Sequence, residues 1–406
     1  MLILTFLGGQ FSVRSGGHNP NIGFSSIGQE GMLIDLARLN DVALSPDGTL
    51  ASIGPGNRWG RVYKTLSSSG KMAVGGRAND IGVGGLLLGG GLSYWSSIYG
   101  MAFTKIVNYE AYSSIVNANE TANKDLWWAL RGGGANFGIV TRFDVQTVEN
   151  GQIWFEGLFF KVSQHERLLT VAADFAAAAE DDPNVSITYN LGPAGAAVYL
   201  AYNSPINRPK IYAPFYDIPH QNIIKSTLGT WVDFHNAVSD LNPFSSLRIA
   251  ITTYDRKWDQ KTLLDHYERF QKVSLDVQNR LNASLYFAPQ IFSRSAVAAT
   301  SAQGGSPLML SQDTHCFLEI MATWTNPDYD EEATQALMRL GDEITASGQR
   351  LGTDLNFHFM NDAGLHQDVL GSYGTLDKMR SVSQAYDPYQ VFQHLQGGGF
   401  LLNRAP

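Results

Sequence analysis

The sequence predicts an α+β protein of two packed units: a glycine-rich unit of short strands, then one built on an antiparallel sheet covered by helices. Three observations carry this. Glycine is bunched near the start, with eight of the 41 in the 17 residues "GGRANDIGVGGLLLGGG" (75–91) and three more together in "RGGGANFG" (131–138). Beyond about residue 151, apolar runs rich in Phe, Tyr, Ile and Val alternate with long polar helical stretches, the pattern of strands packed under helices. The 406 residues, 44% hydrophobic and 16% charged, suffice for two real cores.

Taken in order, "MLILTFLGG" (1–9) is apolar but too short to span a bilayer. It lacks the basic segment and small-residue cleavage site of a secretory signal, and is expected to be the end of a helix or strand whose domain begins earlier. "FSVRSGGHNP" (11–20) puts a strand-like run before a double glycine and a histidine. By itself it fits a surface loop as well as a ligand loop. "GMLIDLARL", "ASIGPG" and "KIVNYEAY" read as short strands, "DLWWALRGG" as a short helix and "GIVTRFDVQTV" as a strand. In the second half "IWFEGLFFKV", "VSITYNLG", "AAVYLAYN", "SLYFAPQIF", "CFLEIMATW" and "LNFHFMND" read as strands. Between them "SQHERLLTVAADFAAAAE", "KTLLDHYERFQKVSLDVQNRL" and "DEEATQALMRLGDEITASG" read as helices. "SYGTLDKMRSVSQAYDPYQVFQ" reads as one helix stopped by Asp-Pro. The expected units are 1–150, completed by 365–406, and 151–364.

A net charge of −8 argues against nucleic acid, whose affinity rests on Lys and Arg neutralising phosphates, and against an anionic membrane surface. The single cysteine, Cys316, excludes an intrachain disulfide and a thiolate-rich metal site, and its strand context predicts a buried, inert thiol. The nine histidines are scattered without ligand spacing, so no metal is expected. Sequons at Asn119, Asn184 and Asn282 leave the location open. The glycine runs alternate with Val, Ile and Leu rather than Ser or charge, which disfavours a linker and suits backbone N–H groups turned toward an anion or a flat ring. No dinucleotide-binding frame and no P-loop is present.

"VRSGGHN", "GGRANDIGVGGLLLGGGLS", "DLWWALRGGGANFGIVTRFDV" and "YDPYQVFQ…GGGF" together resemble, in this order, the FAD-linked oxidases of the berberine bridge enzyme type, in the vanillyl-alcohol oxidase superfamily and closest to its fungal branch. The resemblance runs from residue 11 to about 402. It implies a PCMH-type FAD-binding domain plus a substrate domain. It makes His18 the residue bonded covalently to a flavin methyl group, with Arg14, Ser15, Gly16, Gly17 and Asn19 around it. Gly82, Gly84 and Gly85 would line the pyrophosphate, with Gly89 and Gly90 close behind. Ile139 and Val140 would offer backbone groups to the adenine, and Asn361, in the place of the family's Tyr-x-Asn contact, would touch the flavin. The cysteine that makes a second flavin bond in many members is Ala78 here, so a link through His18 alone is expected.

Oxidation by a flavin needs a base to take a proton while hydride leaves an adjacent C–H bond. A strand of plant relatives presents a glutamate over the flavin, and "FLEIMATW" matches it at Glu319. A carboxylate in an apolar strand is costly to bury unpaired, so Glu319 faces either a polar pocket or solvent at an edge. The family's catalytic tyrosine position is Asp362 here, exchanging a phenol for a carboxylate. Two carboxylates facing one pocket raise the pKa of at least one, which suits a base. Tyr373 and His358 are weaker candidates, and Tyr286 and Trp324 read as core. The resemblance implies a small organic substrate, an intermediate of fungal secondary metabolism, with dioxygen as acceptor. Departures favour a competing expectation, a degenerate relative acting as a non-redox cyclase or binding protein. Thr104-Lys105 replaces an Asp-Asn pair, the hairpin at 111–116 is about three residues short, and thirteen residues precede Arg14 where members have sixty or more. Either the start is cut short or the cofactor domain lacks an edge strand. Oligomeric state is not legible.

Overall fold

The computed structural model describes residues 2–112, 115–241, 247–302 and 304–405; the turn of the short hairpin, Ser113 and Ser114, lies outside them. The chain forms two compact units, residues 1–150 with 298–310 and 365–406, and residues 151–297 with 311–364.

In the first unit, β1 (Gln10–Arg14) and β2 (Gly31–Asp35) form a parallel pair in which Arg14 stands opposite Asp35. Phe11 anchors β1, buried with Leu4, Leu36, Ile139 and Phe392, so the strand delivers residues 15–18 from a fixed end. Residues 2–7 are a short helix. A second sheet gathers β3 (Val42–Leu44), β4 (Leu50–Ile53), β5 (Lys71–Ala73), β6 (Ile106–Tyr112), β7 (Ile115–Asn119) and β8 (Ile139–Glu149). The long β8 is its centre and pairs antiparallel with β4, β5 and β6. Helix Trp59–Ser67 buries Trp59, Val62, Tyr63 and Leu66, the i, i+3, i+4, i+7 stripe of a helix with one buried face.

The second unit is a seven-stranded sheet of β9 (Gln152–Phe160), β10 (Val185–Gly192), β11 (Gly195–Tyr202), β12 (Gln221–Thr230), β13 (Arg248–Lys257), β14 (Ser284–Phe292) and β15 (His315–Trp324). The order is β12-β9-β11-β10-β14-β15-β13, and every pairing is antiparallel. Helices His165–Ala179, Gln260–Leu281 and Asp330–Leu351 share one hydrophobic core with Cys316, Leu318, Ile320, Ala322 and Trp324 of β15. Because strand side chains alternate, the other face of β15 carries His315, Phe317, Glu319, Met321 and Thr323. The α+β expectation, an antiparallel sheet covered by helices, holds.

Four expectations need correction. "LNFHFMND" (355–362) is not a strand: the one bridge nearby, Asp354 to Arg256, precedes it, and Asn356 at φ 46° breaks extended backbone before a single 3-10 turn at Met360–Asp362. The final helix is three pieces, Val369–Ser372, Leu376–Tyr386 and Val391–His394. Gly374 at φ 72° ends the first, and Asp387-Pro388 stops the second, as expected. Residues 298–310, assigned by sequence to the second unit, pack in the first. There Thr300 Oγ1 accepts from the Met101 amide (3.1 Å) and Arg131 Nη1 donates to the Gly305 carbonyl (2.6 Å). Tyr286, read as core, lies half-buried on the sheet face turned away from the three long helices, whereas Trp324 is core and donates to Asp330 (2.8 Å). Among the described residues no helix is long and apolar enough to cross a membrane, and no group of His, Cys, Asp or Glu could hold a metal ion.

Candidate functional site

The first unit brings the two glycine motifs together. A Cβ on Gly16 would lie 2.3 Å from Cα of Gly82, and one on Gly82 would lie 2.6 Å from Cα and N of Gly16. No side chain fits between these backbones, so the "SGGH" loop and the "NDIGVGG" turn meet main chain to main chain. Ser15 clamps them: its Oγ donates to the Pro55 carbonyl (2.5 Å) and accepts from the Gly84 amide (3.1 Å). The Gly84 N–H is therefore spent within the protein. Gly85 is exposed, and nothing lies within 4 Å of where its Cβ would stand. Gly89 and Gly90 are buried at the end of helix Val83–Gly89, where the Gly90 carbonyl accepts from Phe103 (3.2 Å).

Arg14 donates to Asp35 at 2.6 Å, which holds the Asp35 carboxyl below its ordinary range. Oδ1 of Asn19 accepts from the Asn21 backbone amide (2.9 Å), an Asx turn just after His18. Ile139 and Val140 open β8, both buried and paired with Tyr112 and Ala111. His18 is half exposed, and its Nε2 lies 3.6 Å from Oδ2 of Asp80. The sequence reading quoted Asp80 without recognising it; its signal was an acid standing two residues before Gly82. The replacements at 104–105 are well seated, with Thr104 Oγ1 donating to Tyr99 (2.6 Å) and the Lys105 ammonium 4.7 Å above the Tyr99 ring.

These residues fit FAD. The two loops are locked backbone to backbone, exposed glycine backbone at Gly85 stands beside the contact, and an imidazole lies at its rim. Ala78 leaves no thiol there. The one cysteine, Cys316, belongs to the second unit, where burial raises its thiol far above the ordinary range.

In the second unit, Glu319 sits on the face of β15 turned away from the three long helices, opposite Thr253 of β13 and Ala288 of β14. Asp362 reaches the same face, its Oδ2 accepting from Gln290 Nε2 at 2.7 Å. Gln290 stands opposite Phe317, one same-face position from Glu319. The structure thus brings both carboxylates to one sheet face, beside the half-buried Tyr286 and Met321. Asn361 shares the 3-10 turn of Asp362. His358 Nδ1 lies 3.2 Å from the carbonyl of Thr253, the register partner of Glu319. Tyr373 is fully buried and belongs to the first unit. Gln290 was missed by the sequence reading, although an amide inside "YFAPQIF" was its signal.

Farther along the same face, His315 and Asp255 form a buried pair (Nδ1–Oδ2 2.6 Å), with His315 Nε2 donating to the Ser311 carbonyl (3.0 Å). Burial pushes the Asp255 carboxyl up to about 6 against the pull of His315. Burial also opposes charge on His315, but the bond to Asp255 outweighs it and raises the ring.

Residues 5–114 match the FAD binding domain family. The chain is 35% identical to an FAD-dependent monooxygenase of Arthrobotrys oligospora, covering 100% of this chain and 80% of that protein. It is 32% identical to the bifunctional solanapyrone synthase of Alternaria solani, covering 98% and 78%. Its fold superposes on a glucooligosaccharide oxidase of Acremonium strictum, whose FAD carries 6-S-cysteinyl and 8α-N1-histidyl links, with TM-score 0.76 at 20% identity over 95% of this chain and 86% of that one. The site and the likeness agree: this chain belongs to the family of FAD-dependent oxidoreductases that includes the fungal FAD-dependent monooxygenases, and it shares the fold of the glucooligosaccharide oxidase.

Proposed function

We propose that this oxidoreductase removes hydride from a C–H bond of a small organic substrate, an intermediate of fungal secondary metabolism, and that dioxygen is the final electron acceptor. The cofactor is FAD bonded through His18 alone. The observation that carries this reading is the pair of carboxylates, Glu319 and Asp362, on the sheet face turned away from the three long helices.

FAD, when bound, supplies the two-electron acceptor for the hydride. The chain's own residues do the rest. Glu319 or Asp362 takes the proton from the substrate O–H or N–H as the neighbouring C–H bond breaks. Gln290 holds the Asp362 carboxylate in place by donating to it. Tyr286 and Met321 offer apolar surface beside Glu319, which suits a hydrophobic substrate. In the cofactor unit, Ser15 fixes the turn that presents His18, the Gly16–Gly82 contact holds the two loops together, and the exposed backbone at Gly85 is open to the pyrophosphate. Arg14 is committed to Asp35 and serves the loop through that pair. The resemblance assigns Asn361 to the flavin. The relatives' names, an FAD-dependent monooxygenase and a synthase of a fungal metabolite, support the substrate class.

The test is flavin fluorescence on acid-denatured protein for the wild type and His18→Ala, followed by anaerobic flavin reduction with candidate substrates. Flavin that stays with the wild type and leaves the variant supports the single histidyl bond. Loss of flavin from both refutes it. A Glu319→Gln, Asp362→Asn double variant that still reduces its flavin at the wild-type rate refutes the carboxylate base.

A further inference from the structure

We infer that Asp80 is a positioning residue for flavin attachment, holding the His18 ring by Nε2 so that Nδ1 is the nitrogen that bonds the flavin. The inference rests on the attachment proposed above and deepens it.

Asp80 Oδ2 stands 3.6 Å from Nε2 of His18, and the backbone around Asp80 is pinned from several sides. Arg58 Nη1 donates to the Asp80 carbonyl (2.5 Å), and the Trp59 amide donates to the Ile81 carbonyl (2.9 Å). The Gly16–Gly82 contact locks the loop carrying His18 against the turn carrying Asp80. The backbone that carries the carboxylate therefore has a fixed place relative to the loop that carries the ring. The imidazole of His18 beside it outweighs desolvation and keeps the Asp80 carboxyl below its ordinary range.

An imidazole attacks through a nitrogen that bears a lone pair, so its one proton must sit on the other nitrogen. A carboxylate at Nε2 selects the Nε2–H form and leaves the lone pair on Nδ1. In the step itself, one C–H bond of the flavin methyl group breaks and releases a proton, and an Nδ1–C bond forms. The ring becomes cationic, faces the Asp80 carboxylate, and then releases its Nε2 proton. The two electrons from the methyl carbon reduce the flavin, which takes up both protons. Dioxygen reoxidises it, accepting two electrons and two protons to give hydrogen peroxide. Asp80 acts at two points, choosing the tautomer and stabilising the cation.

The pair is solvent-accessible, 49% for the His18 side chain and 71% for Asp80. Exposed ion pairs add little to folding, so substitution at Asp80 tests positioning rather than stability. Wild type, His18→Ala, Asp80→Ala, Asp80→Asn and Asp80→Glu are produced under flavin limitation, mixed with excess FAD in air, and sampled over time. Acid-stable flavin fluorescence reads attachment, absorbance before acid reads total bound FAD, and thermal denaturation reads folding. Expected are attachment slower by on the order of tenfold to a hundredfold in Asp80→Ala and Asp80→Asn, recovery in Asp80→Glu, and unchanged FAD binding and melting. Attachment at the wild-type rate in Asp80→Ala overturns the inference while leaving the attachment reading intact. Loss of all FAD binding in Asp80→Ala overturns it too, since Asp80 would then hold the cofactor. A wild type that never attaches flavin, or a His18→Ala variant that does, overturns both. Structure determination of the histidyl-flavin peptide is expected to show substitution at Nδ1, and substitution at Nε2 refutes the assignment.

Discussion

Gly82→Ala is the sharpest probe of the cofactor cradle. The added methyl stands 2.6 Å from Cα and N of Gly16, whereas unbonded carbons pack at about 3.5–4.0 Å. The two loops must part by about 1 Å, and both contact atoms are backbone, so no side chain can swing aside. Overpacking of this kind costs about 1–3 kcal/mol. In a unit of this size that lowers the melting temperature by about 2–12 °C. FAD affinity falls with it, because the parting breaks the Ser15–Gly84 bond. Differential scanning fluorimetry with and without FAD, together with a flavin-binding titration, measures both. Gly16→Ala meets the same gap from the other side at 2.3 Å. The double variant should lose less than the sum of the singles, since loops already parted admit the second methyl. Gly85→Ala is the contrast: nothing is within 4 Å, and its helical position favours alanine, so melting stays level or rises. A Gly82→Ala protein as stable as Gly85→Ala, or strict additivity of the two close-contact variants, would refute the backbone-to-backbone contact.

Glu319→Gln should slow substrate-driven flavin reduction by on the order of 10²–10⁴-fold while flavin content stays unchanged, read by anaerobic stopped flow; a rate within twofold of wild type removes Glu319 as the base. Burial lowers His266 to about 3 and His165 to about 4. Both therefore stay neutral in the folded second unit at pH values where the unfolded chain binds protons. Stability falls as pH drops below about 6.5, by up to about 1.4 kcal/mol per pH unit for each ring, and His266→Gln should flatten urea midpoints measured between pH 7 and pH 4. Glu156, fully buried on β9, accepts from Arg208 (2.6 Å), Tyr216 (2.8 Å) and Asn222 (2.6 Å). Arg208→Ala strips one partner from a buried carboxylate and should lower stability by up to about 3 kcal/mol, discounted because the guanidinium is half exposed, as chemical denaturation would show.

What was legible in the sequence follows from where the chemistry is local. Strands β14 and β15 were readable because "SLYFAPQIF" and "HCFLEIMATW" are dense in β-formers and flank long helical repeats. Strand β13 was not, because "RIAITTYDRK" carries Asp255 and Arg256, whose charges belong in the interior only once His315 and Asp354 stand beside them. Strand β12 was missed because it lies at the sheet edge and is mostly half-exposed, with Gln, Asn, Lys and Gly among its residues. "LNFHFMND" misled because its apolar residues are buried by packing, as in the stacked rings of Phe317 and Phe359, and not by strand pairing. His18 was legible from its glycine motif. Its neighbour Asp80 was not, because the pair exists only after the two glycine loops meet.

The two faces of β15 explain why a carboxylate can be carried on so hydrophobic a strand. Cys316, Leu318, Ile320, Ala322 and Trp324 point into the helices and supply the burial that holds the sheet together. The alternate residues are freed from that duty, and among them stands Glu319. A slip of one residue against β13 or β14 would bury Glu319 among the helices and expose Leu318. That loss of apolar burial would come with an unpaired charge in the core. The hydrophobic side of the strand thus enforces the register that keeps Glu319 opposite Thr253 and Ala288, and one position from the Gln290 that holds Asp362. Substitution on the helix side, such as Leu318→Ala, therefore reaches the carboxylate face through the sheet's register and rigidity without touching either acid.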